Sequence, residues 1–132
     1  MEIFTVNTPD RNILINITRQ IQDVVSKSGI KDGICYIFIP HTTAGVTINE
    51  SADPDVRIDI TNSLSKMIPP NANYRHSEGN SDSHIKTSFV GPSEMIFIEK
   101  GKLKLGTWQG VFLCEFDGPR RREIWIKLVS AE

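Results

Sequence analysis

The chain is short of soft metal ligands, of long apolar runs and of any excess of one charge. Its two cysteines, Cys35 and Cys114, sit in separate apolar segments. No CxxC pair exists to hold zinc through thiolates, and two buried free thiols in a reducing compartment are expected. No apolar stretch is long enough to cross a bilayer. The opening MEIFTVNTPD lacks the basic start and apolar run of a secretory leader. Fifteen basic residues face sixteen acidic ones, for a formal net charge of -1. No global positive field therefore argues for nucleic acid, and any phosphate binding must come from a local cluster. These absences point to a cytoplasmic protein with neither nucleic acid nor membrane as partner. What remains is 39% hydrophobic and 23% charged over 132 residues. That is the make-up of a globular chain, and its length favours one domain, 1–132, with one core.

The apolar pattern gives the elements. EIFTVNT, residues 2–8, reads as a strand stopped by Pro9-Asp10. Ile17, Ile21, Val24 and Val25 share one face of a helix, with Asn16 able to cap its start and Gly29 its end. GICYIFIP, 33–40, is a buried strand ending before His41. Asp53 followed by Pro54 starts a second helix, with Val56, Ile60, Leu64 and Met67 inward and Pro69-Pro70 as its stop. Residues 71–83 read as polar loop, and HIKTSFVG as a strand or a helical turn. SEMIFIEKGK is a strand running into a turn at Lys100-Gly101. TWQGVFLCEFDG and REIWIKLVS are two more strands around the turn Asp117-Gly118-Pro119. The expected class is α+β, a largely antiparallel sheet arrangement with two main helices packed on one side.

Three segments are polar where strand ends do not require it. In HTTAGVTINE, 41–50, the small residues after His41 leave room for something to approach the backbone; a loop with a capping threonine is the plain alternative. HSEGNSDSH, 76–84, holds two of the three histidines with Glu78 and Asp82. Three imidazoles are the minimum set for a catalytic zinc site, yet the spacing matches no helical motif, and Gly79, Asn80 and Ser81 could simply turn the chain. In GTWQG, 106–110, two glycines flank Thr107, Trp108 and Gln109, which suggests a ligand close to the backbone or a sharp bend. Arg120, Arg121 and Arg122 could grip a phosphate, though at most Arg120 and Arg122 share a strand face. A solvated edge that discourages strand pairing accounts for them equally.

Together the blocks HTTAGVTINE, H-x-EGN-x-D-x-H, LGTWQG and EFDGPRRR resemble the signatures of the YjbQ family, also called the secondary thiamine-phosphate synthase family. The resemblance runs from about Phe4 to Ile126. It implies a small cytoplasmic α+β single domain, a homotrimer, and a thiamine-phosphate synthase activity beside a metal. His41, His76 and His84 match the histidine blocks and are the implied metal ligands, with zinc, manganese, nickel or magnesium as the divalent ion. Glu50 and Asp82 are the implied catalytic acids, and Lys86, Arg120, Arg122, Thr107 and Gln109 the contacts to a small phosphorylated metabolite.

The implied transferase reaction joins a hydroxymethylpyrimidine pyrophosphate to a thiazole phosphate with loss of pyrophosphate. It needs charge neutralisation on the leaving group. Pyrophosphate chemistry usually uses magnesium with oxygen ligands, whereas imidazoles suit zinc, manganese or nickel. A metal-dependent hydrolase of a phosphorylated or cyclic metabolite, and a non-enzymatic metal or small-ligand binding protein, are the alternatives.

Overall fold

The computed structural model describes all of residues 1–132. Its strands are β1 (Glu2–Asn7), β2 (Ile13–Asn16), β3 (Asp32–Phe38), β4 (Ala44–Glu50), β5 (Ser93–Glu99), β6 (Lys102–Leu103), β7 (Gln109–Glu115) and β8 (Arg121–Ser130). The helices are α1 (Thr18–Ser28), α2 (Pro54–Met67) and α3 (Ser81–Val90). The strands form two antiparallel sheets, sheet A in the order β1-β8-β3-β5-β6 and sheet B in the order β2-β7-β4. The class is α+β, as the sequence led us to expect.

Side-chain alternation along the strands sets the layers. Cys35, Ile37, Ile96, Ile98, Ile124 and Ile126 point from sheet A into the main core, where Val111 and Leu113 of sheet B meet them. The opposite residues of β7, Phe112 and Cys114, join Leu14 and Phe116 in a second core that Ile60 and Leu64 of α2 and Val90 cover. Sheet B is therefore buried on both faces, and β7 reads as the unbroken apolar run GVFLC. Each fully buried isoleucine contributes about 1.5–3 kcal/mol.

Local signals behave largely as expected. Gly29 closes α1 in the left-handed conformation, φ 74°. Asn16 Oδ1 accepts hydrogen bonds from the Thr18 N–H at 3.0 Å and the Thr18 hydroxyl at 2.6 Å, although Ile17 is the capping residue. The Asp53 carboxylate accepts from the Asp55 N–H at 2.9 Å, with Pro54 in the first turn of α2. Both cysteines are free and buried, and burial pushes each thiol up to about 12.

Four expectations change. Residues 13–16 are a strand, paired with β7, rather than an unassigned lead-in to α1. Residues 44–50 are a strand, not a loop: Val46 N–H donates to the Gly91 carbonyl at 3.1 Å, and what approaches the small residues is the end of α3. A Cβ on Gly45 would stand 2.5 Å from the Gly91 oxygen. Ser81–Val90 is a helix. Met67 does not face inward: it is 74% exposed, and the next residue, Ile68, is buried instead.

Candidate functional site

The element that organises the polar region is α3. Its inward face is polar: Asp82, Ser83, Lys86 and Thr87 are all buried. Ser83 donates to the Phe116 carbonyl. Lys86 Nζ donates to Asp82 Oδ2 at 3.1 Å, Asn12 Oδ1 at 3.0 Å and Ser65 Oγ at 3.4 Å, which uses all three of its protons. Arg11, from the β1–β2 connection, grips the same carboxylate with both terminal nitrogens, at 2.9 and 3.0 Å. Burial alone would push the Asp82 carboxyl up, but the hydrogen bonds and charges of Arg11 and Lys86 outweigh it and hold it below the ordinary value. Asp82 is thus a buried counter-ion. Breaking such a cluster by removing one buried partner costs about 3–5 kcal/mol.

On the outer side of the same helix turn lies a cleft. The 71–80 loop brings His76 beside His84, with ring centroids 5.5 Å apart and planes 89° to each other. Glu78 Oε2 stands 3.7 Å from His76 Nε2. Tyr74, Arg75, Ser81 and Ile85 complete the lining of a shallow, open depression of about 420 Å³. The Tyr74 hydroxyl donates to the Pro69 carbonyl at 2.6 Å, which ties the loop to the end of α2. His76 is exposed and His84 half-buried. Neither Arg75 nor Tyr74 stood out in the sequence, although a basic residue directly before His76 was a usable signal.

His41 lies elsewhere. Its Nε2 accepts the Glu123 N–H at 3.0 Å, where β3 has just left β8. Desolvation first, and the Arg122 charge second, push its pKa below the ordinary value against the opposing charges of Glu123 and Glu115. Arg122 is itself buried and bound. Its Nε donates to Glu115 Oε1 at 2.7 Å, and an Nη donates to Glu115 Oε2 and to Thr43 Oγ1. Glu115 also accepts from the Thr8 hydroxyl and the Asp117 N–H. This pair fastens sheet A to sheet B at one end of the sandwich. Arg120 is half-exposed and bonds Asp117 Oδ2 at 2.9 Å, which also accepts from Asn80 Nδ2.

The remaining candidates sit at the other end of β4, about 20 Å along the strand from Ala44. Glu50 Oε2 accepts the Ala52 N–H and Gln109 Oε1 accepts the Gly106 N–H, so both close turns. Thr107 and Trp108 are exposed beside them. The structure therefore gathers His84 and the Asp82–Lys86 pair on α3 and brings His76 against it from the 71–80 loop, puts Arg120, Arg122 and His41 at strand ends, and leaves Glu50, Thr107 and Gln109 apart.

The model of the UPF0047 protein YjbQ-like family matches residues 2–131. The chain belongs to the YjbQ family. It is 56% identical over 127 residues to a UPF0047 protein of Methanocaldococcus jannaschii, covering 96% of this chain and 92% of that one. It is 44% identical to YugU of Bacillus subtilis, over 98% and 99% of the two chains. Among solved structures, a YjbQ/UPF0047 protein of Clostridium acetobutylicum superposes with a TM-score of 0.96 at 49% identity, over 98% and 100% of the chains. One from Sulfolobus solfataricus, described as a YbjQ-like protein of unknown function, gives 0.93 at 35% identity, over 98% and 95%.

These relatives overturn part of what the resemblance implied. They are described by family alone or as of unknown function, and none of these descriptions names a thiamine-phosphate synthase or transferase activity. The metal site also fails on donor geometry. No group of three or more His, Cys, Asp or Glu side chains converges on a point that could hold an ion. The His41 Nε2 lone pair is already engaged by a backbone N–H, and Asp82 is spent on Arg11 and Lys86. The metal-dependent hydrolase falls with the metal.

Proposed function

We propose that this YjbQ-family protein binds a small phosphate-bearing metabolite in the cleft between the 71–80 loop and α3, without a metal. The observation that carries this is the His76–His84 pair, two accessible imidazoles meeting edge to face at 5.5 Å with Arg75 and Ser81 in the same lining. Imidazole both donates hydrogen bonds to phosphate oxygens and exchanges protons near neutral pH. A guanidinium beside it supplies charge-assisted donors of fork geometry. The volume of about 420 Å³ suits a small metabolite.

The test is a titration of inorganic phosphate and a panel of phosphorylated metabolites, in chelator, followed by NMR of the histidine rings. Saturable shifts of both rings in the parent, absent in a folded His76→Ala/His84→Ala variant, are expected. Rings that do not respond at millimolar phosphate would falsify the phosphate site.

We place the protein in the cytoplasm, on its two buried free thiols, and no helix is long and apolar enough to cross a membrane. We also assign it a homotrimer, built on the outer face of sheet A. Ile3, Tyr36, Phe38, Met95, Phe97 and Val129 of that face are each 44–57% exposed, a patch of a kind that marks an interface. The face also carries both signs, Arg121 at one end and Lys127 opposite Tyr36 against Asp32 and Glu99 at the other end. A second copy can thus meet apolar surface with apolar surface and charge with opposite charge.

A further inference from the structure

Resting on the phosphate-site reading above, we infer that Arg11 is the positioning residue of the imidazole pair. His76 and His84 come from two different pieces of backbone, the 71–80 loop and the first turns of α3, so their spacing depends on what ties one to the other. A single guanidinium does so. Arg11 Nη1 and Nη2 take both oxygens of Asp82, two residues before His84. Nη2 also reaches the Gly79 carbonyl at 3.4 Å, three residues after His76. The Arg11 carbonyl in turn accepts the Gly118 N–H at 3.2 Å, which anchors the clamp to the turn before β8.

The two ends of the clamp are not equally redundant. Asp82 keeps its bond from Lys86 if Arg11 is lost, and α3 remains docked through Ser83. The loop is tied at its two ends, at Asn80 to Asp117 and to the Ser83 and His84 N–H groups and at Tyr74 to Pro69, and between them Arg11 reaches Gly79 at 3.4 Å. Losing Arg11 therefore releases the His76 side of the pair while leaving the His84 side in place. At this position the two terminal nitrogens of a planar fork span both Asp82 oxygens and the Gly79 carbonyl; a lysine ammonium supplies the charge from a single nitrogen and cannot cover the same spread.

The experiment compares the parent with Arg11→Met and Arg11→Lys in three readouts: melting temperature, the nuclear Overhauser contact between the His76 and His84 rings, and the phosphate-induced ring shifts. Arg11→Met is expected to lose the inter-ring contact and the phosphate response of His76. Arg11→Lys is expected to regain melting temperature but not the contact. Free guanidinium ion added to Arg11→Met is expected to restore the contact in part. A persistent contact in Arg11→Met, or its full return in Arg11→Lys, overturns the inference; should the methionine variant not fold, the lysine variant decides alone. The ring contact is read without ligand, so a parent that ignores phosphate defeats the phosphate site while leaving the role of Arg11 to be judged separately.

Discussion

At the scale of residues, the hydrogen bond from the Glu123 N–H to Nε2 leaves the His41 proton on Nδ1 and requires a neutral ring. Its folded pKa lies below the ordinary 6.5. The unfolded chain therefore takes up the proton first as the pH drops. The stability His41 contributes is present above 6.5 and is lost as the pH falls through the folded value. His41→Gln keeps an acceptor but does not titrate in this range. Urea midpoints measured at about pH 8 and about pH 5.5 should fall further for the parent than for His41→Gln; equal falls would mean the ring is not held neutral. None of this was legible in HTTAG, because the donor is a backbone N–H more than eighty residues away. Arg11 was equally silent in the sequence, and Asn80 read only as a turn residue: each acts through a partner that only the fold supplies. The histidine pair was legible as composition, two imidazoles in one polar stretch, but the third histidine suggested a ligand set that the fold does not assemble.

At the scale of elements, the strands with one buried face announced themselves, since Cys35-Ile37 and Ile96-Ile98 alternate with exposed neighbours. Helix α2 announced itself through Asp53-Pro54. Helix α3 did not, because its inward positions are Asp82, Ser83, Lys86 and Thr87, which carry the helical period in polar residues. β4 was hidden for a related reason. Its buried start, Ala44-Gly45, is small rather than β-branched, because α3 lies against it. Gly45→Ala should expose that dependence. The new Cβ meets a backbone carbonyl at 2.5 Å, so α3 or β4 has to move, at a cost of about 1–3 kcal/mol. The urea midpoint should drop accordingly, with Gly79→Ala, where nothing lies within 4 Å but φ is +81°, as a comparison for conformational strain alone. A Gly45→Ala midpoint equal to that of the parent would mean that α3 does not confine this position.

At the scale of the whole molecule, the bare surface is the outer face of sheet A, where Phe38 stacks on Trp125 at 5.8 Å and Phe97 and Met95 lie alongside. Phe97→Glu should convert an assembled protein into monomer in light scattering after size exclusion, while near-native circular dichroism shows the subunit still folded. A monomeric parent at working concentration would remove the trimer. The layer order has a consequence for how this protein would be regulated. The outer face of sheet A, proposed above for the contact between copies, and the imidazole cleft lie on opposite sides of sheet B, which packs between the two cores. Neither event supplies a differential contact to the other, so their coupling free energy should be near zero. Each subunit would then titrate as an independent receptor, with a hyperbolic isotherm and no cooperativity, whether alone or in company.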